Sequence, residues 1–188
     1  ATDILGDSQP VLDVASDAFE PAGSFSTVGT PVVDPASDTY SFSMFIRTGS
    51  SVSLSYNLMT IWDGANKAIN LSIQGSKVGA GRLGGFGVVS PSGLLEPNTV
   101  YLIGYVEDGV TATIYLNGAQ VASGPRDAAV STGTLTVAVG SFDNAILTDS
   151  TAIGHAAFYP QALGAADFLT IYGSAATTPN ITGNGTIL

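Results

Sequence analysis

Catalysis needs acids, bases or nucleophiles held within a few ångströms of one another, and this chain has few candidates. Its only glutamates are Glu20, Glu96 and Glu107, and its one histidine is His155. Retaining glycoside hydrolysis requires two carboxyl groups about 5–5.5 Å apart, a spacing that alternate positions on one strand face supply. No two of the glutamates are close in sequence, and the neighbours Glu107 and Asp108 would point to opposite sides of a strand. His155 could act as a general base or metal ligand, but no serine, aspartate or second histidine is grouped around it. No Gly-x-Ser-x-Gly elbow occurs either. His155 is therefore read as a residue of the strand IGHAAFY, and no enzyme is expected.

Binding chemistry has better candidates. The only tryptophan, Trp62, stands in TIWDGANK, where a strand meets a turn. There it could form a stacking platform for a glycan with Asp63 and Asn66, or be buried between sheets as large aromatics often are. Calcium takes carboxylate and carbonyl oxygens, and Asp143 with Asn144 is the richest candidate pair, with Asp63 a further one. No Asp-x-Asp-x-Asp-Gly loop dictates a ligand set, and each aspartate can equally serve a turn. The run VGAGRLGGFG (78–87) lacks the Gly-Lys-Ser/Thr of a phosphate loop and is expected to be a flexible hairpin loop. Three sequons occur, at Asn70-Leu71-Ser72, Asn180-Ile181-Thr182 and Asn184-Gly185-Thr186.

Composition restricts the partners. Five Lys+Arg against fifteen Asp+Glu give a formal net charge of −10 over 188 residues. Such a chain repels phosphate backbones and anionic lipid heads, so neither nucleic acid nor a membrane surface is expected as a partner. No apolar run approaches the roughly 18 residues of a spanning helix. Cysteine is absent, which excludes disulfides and thiolate chemistry. The opening ATDILGD has neither a basic nor an apolar signal region, so a signal peptide is either absent or already removed.

Periodicity supplies the elements that must position these residues. VYLIGYVE, Asp108-Gly109, VTATIYL, Asn117-Gly118 and AQVAS read as strand, tight turn, strand, tight turn, strand. Both dipeptides accept the positive φ of a type I′ turn. Tyr40 to Arg47 alternates, with Tyr40, Phe42, Met44 and Ile46 on one face of a half-buried strand. Leu58–Trp62, Ile69–Ile73, Phe86–Val89, Leu135–Val139 and Ile153–Tyr159 are further strands. One helix of about two turns is expected at 164–172, with Ala165, Phe168, Leu169 and Tyr172 as its apolar stripe. Gly164 would be its N-cap and Gly173 its left-handed terminus. Short strands and turns in this density indicate a two-sheet sandwich.

The order of these parts resembles the laminin G-like branch of the concanavalin A-like lectin/glucanase superfamily. The resemblance is carried by SFSMFIR (41–47), the TIYLNGAQVASG hairpin, LTVAVGS (135–141) and IGHAAFYPQALGAADFLTIYG (153–173). It implies an all-β antiparallel jelly-roll sandwich with one short C-terminal helix, spanning residues 25–175 between arms at 1–24 and 176–188. The superfamily's glucanases carry Glu-x-Asp-x-x-Glu on one strand, and that motif is missing. Gly164 stands where the family has Ser or Thr, so a capping box is lost and a looser helix start is expected. Laminin G-like domains often bind Ca²⁺ at a sandwich rim, which keeps Asp143 and Asn144 in view.

Two roles follow as expectations. The first is a structural or attachment protein of a larger assembly, a decoration or accessory protein at the surface of a virus or phage particle. Ile181, Ile187 and Leu188 would anchor it to a capsid or fibre partner, with Ile4, Leu5, Val11 and Leu12 available at the other end. The second is a secreted glycan-binding module using Trp62, Asp63 and Asn66.

Overall fold

The computed structural model describes residues 39–53, 55–63, 66–81, 87–126, 135–139, 141–142, 145–146, 152–159 and 161–176. The first sheet contains β1 (Tyr40–Arg47), β6 (Val100–Glu107), β7 (Thr111–Leu116), β8 (Ala119–Pro125) and β12 (Ala152–Tyr159). Their spatial order is β12-β1-β6-β7-β8. The second sheet contains β2 (Ser55–Asp63), β3 (Asn66–Gln74), β4 (Lys77–Gly81), β5 (Val88–Val89) and β9 (Leu135–Val139), in the order β5-β4-β3-β2-β9. A short ribbon pairs β10 (Ser141–Phe142) with β11 (Ala145–Ile146), and every described strand pair is antiparallel. One helix, α1 (Ala165–Ala176), follows β12. The expected sandwich is therefore present.

Alternation builds the core between the sheets. Tyr40, Phe42, Met44 and Ile46 all turn inward from β1, meeting Ile69, Leu71 and Ile73 of β3 and Ile103, Tyr105 and Ile114 of the first sheet. The opposite side of β1 is buried too, so the strand is not half-exposed as its alternation suggests. Phe45, Leu102, Val106, Ala157 and Tyr159 form a second cluster with Leu163, Phe168 and Ile171, which come from α1 and the segment leading into it. Ser41 and Ser43 are compatible with that cover because they find partners there. The Ser41 hydroxyl donates to the Gln161 carbonyl at 2.7 Å and accepts the Leu163 N–H at 2.8 Å. Ser43 Oγ lies 3.2 Å from the Tyr159 hydroxyl.

The helix differs from expectation in three respects. It continues to Ala176, with Gly173 inside it rather than in a left-handed cap. Its buried face is centred on Phe168 and Ile171, while Leu169 is 59% exposed. Its start keeps half of a capping box, since Asp167 Oδ2 accepts the Gly164 N–H at 2.7 Å.

The two tight turns divide. Asn117 and Gly118 have φ of 53° and 85° across a two-residue loop, as a type I′ turn requires. At the other hairpin only Gly109 has positive φ, at 92°, and the loop pair is Gly109-Val110, with Asp108 donating its N–H to the Thr111 carbonyl at 3.1 Å. That is the φ pattern of a type II′ turn. The Asp108 carboxylate decides it by accepting the N–H groups of Thr111 at 2.7 Å and Val110 at 3.0 Å. The same two bonds hold its pKa below the usual carboxylate range.

The Gly-rich run is also corrected. Its first half is β4, where Val78 and Ala80 enter the core and Gly79 and Gly81 take the alternate positions. Val-Gly-Ala-Gly has a period of two, so a strand with glycine on one face fits it. Residues 82–86 lie outside the described set.

Gly118 meets α1 directly. A Cβ there would stand 2.9 Å from Leu169 Cα and 3.0 Å from Leu169 N. Gly118→Val combines positive-φ strain with this clash and is expected to cost about 1–3 kcal/mol, read as a lower melting temperature. An unchanged melting temperature would refute both parts of that account.

Candidate functional site

The two sheets differ in what lies on their outer faces. The first is capped by α1 with apolar side chains. The second carries hydroxyls and amides opposite its core-facing residues. Register pairs Asn57 with Ser72 and Thr60 with Asn70, and continues across β4 to Gly79 and Gly81. Thr60, Asn70 and Ser72 are nevertheless buried, at 0%, 5% and 2% exposure, so this is a covered polar layer rather than an open wet face. Thr60 Oγ1 donates to Asn70 Oδ1 at 3.3 Å. Ser72 Oγ is buried with no hydrogen-bond partner among the described residues.

At one end of this sheet the β2–β3 hairpin gathers the predicted glycan-binding residues. Asp63 pairs directly with Asn66, and Trp62 pairs with Lys67 on the next rung, after a register shift between Ile61 and Trp62. On the other side of β2, Trp62 pairs with Thr136 and Asp63 with Leu135 of β9. These three residues, chosen from sequence, are thus neighbours in the backbone, and their side chains lie outside the described set. Asp143 and Asn144, proposed for Ca²⁺, lie outside it entirely, as do Glu20, both arms up to residue 24 and beyond 176, and Ile181, Ile187 and Leu188. His155 lies in β12 at the register shift where the pairing with β1 passes from Ala156 to Gly154.

Among the described residues, the carboxylates of Glu107 and Asp108 are engaged structurally. Glu107 is 1% exposed at the inner end of β6, while Asp108 is exposed where the strand gives way to the turn. Arg126 Nε lies 2.7 Å from Glu107 Oε2, and the Tyr105 hydroxyl donates to Oε1 at 2.5 Å. A carboxylate held by a guanidinium and a phenol makes its charge tolerable inside the protein. Sequence reasoning missed Arg126. The available signal was VYLIGYV, apolar on both faces, which forces the glutamate that follows it toward a buried position and hence toward a cation. Among the described residues no group of three or more His, Asp or Glu is assembled that could hold a metal.

The architecture is a two-sheet antiparallel β-sandwich of jelly-roll type. No family model matches the sequence, and no curated protein matches it. Solved structures do resemble it. The receptor binding domain of botulinum neurotoxin D superposes with a TM-score of 0.61 at 12% identity, over 87% of this chain and 44% of that one. The serotype G binding domain gives 0.59 at 12% identity, over 84% of this chain and 41% of that one. A Trypanosoma rangeli sialidase bound to a difluorinated nononic acid gives 0.55 at 14% identity, over 76% of this chain and 24% of that one. At these identities the similarity is one of fold. The chain spans about two-fifths of the binding-domain chains and a quarter of the sialidase chain.

Proposed function

We propose that this chain is a non-catalytic glycan-binding module of the laminin G-like kind, with the β2–β3 end of the second sheet as its contact edge. The observation that carries this is the register that sets Asp63 opposite Asn66, with Trp62 opposite Lys67 on the adjacent rung of the same hairpin. Sugars are held by an aromatic ring beneath their C–H face and by carboxylate or amide partners for their hydroxyls, and this hairpin holds both types. The engagement of Glu107 by Arg126 and Tyr105 supports a binding role over a catalytic one. The receptor binding domains among the structural relatives support it by analogy of fold.

Trp62→Ala is expected to weaken glycan binding about tenfold or more, as loss of an aromatic anchor does, with the melting temperature little changed. Immobilised glycans supply the measurement, and undiminished binding by a folded variant would refute the proposal. Adding a chelator to the same assay tests Ca²⁺ at Asp143 and Asn144. Attachment to a virion through Ile181, Ile187 and Leu188 is the competing role, and removal of residues 177–188 separates the two. A glycan-binding module keeps its ligand after that truncation, whereas an arm-anchored accessory protein loses its particle.

A further inference from the structure

The sequon Asn70-Leu71-Ser72 lies within β3, the middle strand of the second sheet. Asn70 is flanked by Thr60 of β2 and Gly81 of β4, and Ser72 by Asn57 and Gly79. Asn70 is 5% exposed, with its Oδ1 accepting the Thr60 hydroxyl at 3.3 Å. An N-linked glycan is joined through the side-chain amide nitrogen, so its first sugar ring must occupy space directly beside that group. Close packing leaves no room for a ring around a side chain this buried. A strand paired on both edges also cannot leave its ladder to enter an enzyme's acceptor groove without breaking the sheet.

We infer that the native fold and an N-linked glycan on Asn70 exclude each other. A chain modified there during synthesis cannot complete the second sheet, and a chain already folded cannot be modified. The sequon is therefore a folding trap in any compartment that glycosylates nascent chains, and the native protein is one that folded without passing through that reaction at Asn70.

Ser72 makes the test clean. Its hydroxyl has no partner among the described residues, yet the sequon requires it, so Ser72→Ala removes the acceptor signal without breaking a described hydrogen bond. Wild type and Ser72→Ala are expressed in a secretory host that attaches N-glycans, and each product is divided into protease-resistant and protease-sensitive pools. Mass spectrometry then reads Asn70 in both pools, with Asn180 and Asn184 recording exposure to the enzyme. The expected result is a protease-resistant pool unmodified at Asn70, with any Asn70 glycan confined to the sensitive pool. Ser72→Ala should recover protease-resistant protein to the level wild type reaches when glycan-precursor synthesis is inhibited. That inhibited wild type supplies the same comparison should the variant fail to fold in a bacterial host. Protease-resistant molecules that carry the Asn70 glycan and melt at the normal temperature overturn the inference.

Discussion

Gly104→Ala is expected to lower the melting temperature by about 5–10 °C and to loosen α1 before the sandwich itself. Gly104 sits in β6 between Ser43 and Tyr115, beneath the ring of Phe168. A Cβ there would stand 2.5 Å from Phe168 Cε1 and 2.7 Å from both Cδ1 and Cζ. The ring has nowhere to retreat, being fully buried and stacked on Tyr115 with centroids 4.8 Å apart. Overpacking of this kind costs about 1–3 kcal/mol or more, and each kcal/mol moves the midpoint by roughly 2–4 °C in a domain of this size. Alanine recovers part of that by restricting the unfolded chain, but the contact distance is too short for the gain to prevail. Phe168→Ala supplies the control. It should be destabilising alone, by about 3–5 kcal/mol, and should abolish most of the additional cost of Gly104→Ala. Additive effects in that double-mutant cycle would show that the helix is not seated on Gly104.

Arg126→Ala is expected to cost about 3–5 kcal/mol, the range seen when one member of a buried ion pair is removed. The loss is larger than for a surface bridge because Glu107 is 1% exposed and its carboxylate cannot turn to water. The Tyr105 hydroxyl would remain, yet a neutral donor offsets only part of a buried charge. Glu107→Gln combined with Arg126→Met should recover much of the stability, since replacing both charges removes the desolvation cost along with the attraction. Denaturant midpoints for the two single variants and the double variant decide it. A single variant within 1 kcal/mol of wild type, to order of magnitude, would place the pair effectively in solvent.

Together these two sites show how the first sheet is secured on both of its faces. The outer face depends on one aromatic ring filling the space that a glycine leaves. The interior end depends on an ion pair between the last residue of β6 and the residue that follows β8. Neither residue pair is local in sequence, and neither belongs to the proposed contact edge, which lies on the other sheet.

What the sequence determined by itself was local. The Tyr40–Arg47 strand could be read because alternation expresses the two faces of a pleated backbone, and the Val100–Glu107 strand because turn residues close it into a hairpin. The Asn117-Gly118 turn could be read because few residue pairs tolerate two successive positive φ values. The grouping of Trp62, Asp63 and Asn66 followed from their closeness in the chain. Tertiary structure decided whatever depended on a distant partner. Burial of the second face of β1 required α1, more than a hundred residues away. The buried face of α1 was set by Gly104 beneath Phe168, which its own stripe could not indicate. Glu107 acquired a structural role only when Arg126 was brought beside it, and the run at 78–81 became a strand only when β3 offered its edge. Periodicity states which face of an element is apolar or polar. What covers that face is decided by long-range packing, which a short window of sequence does not contain.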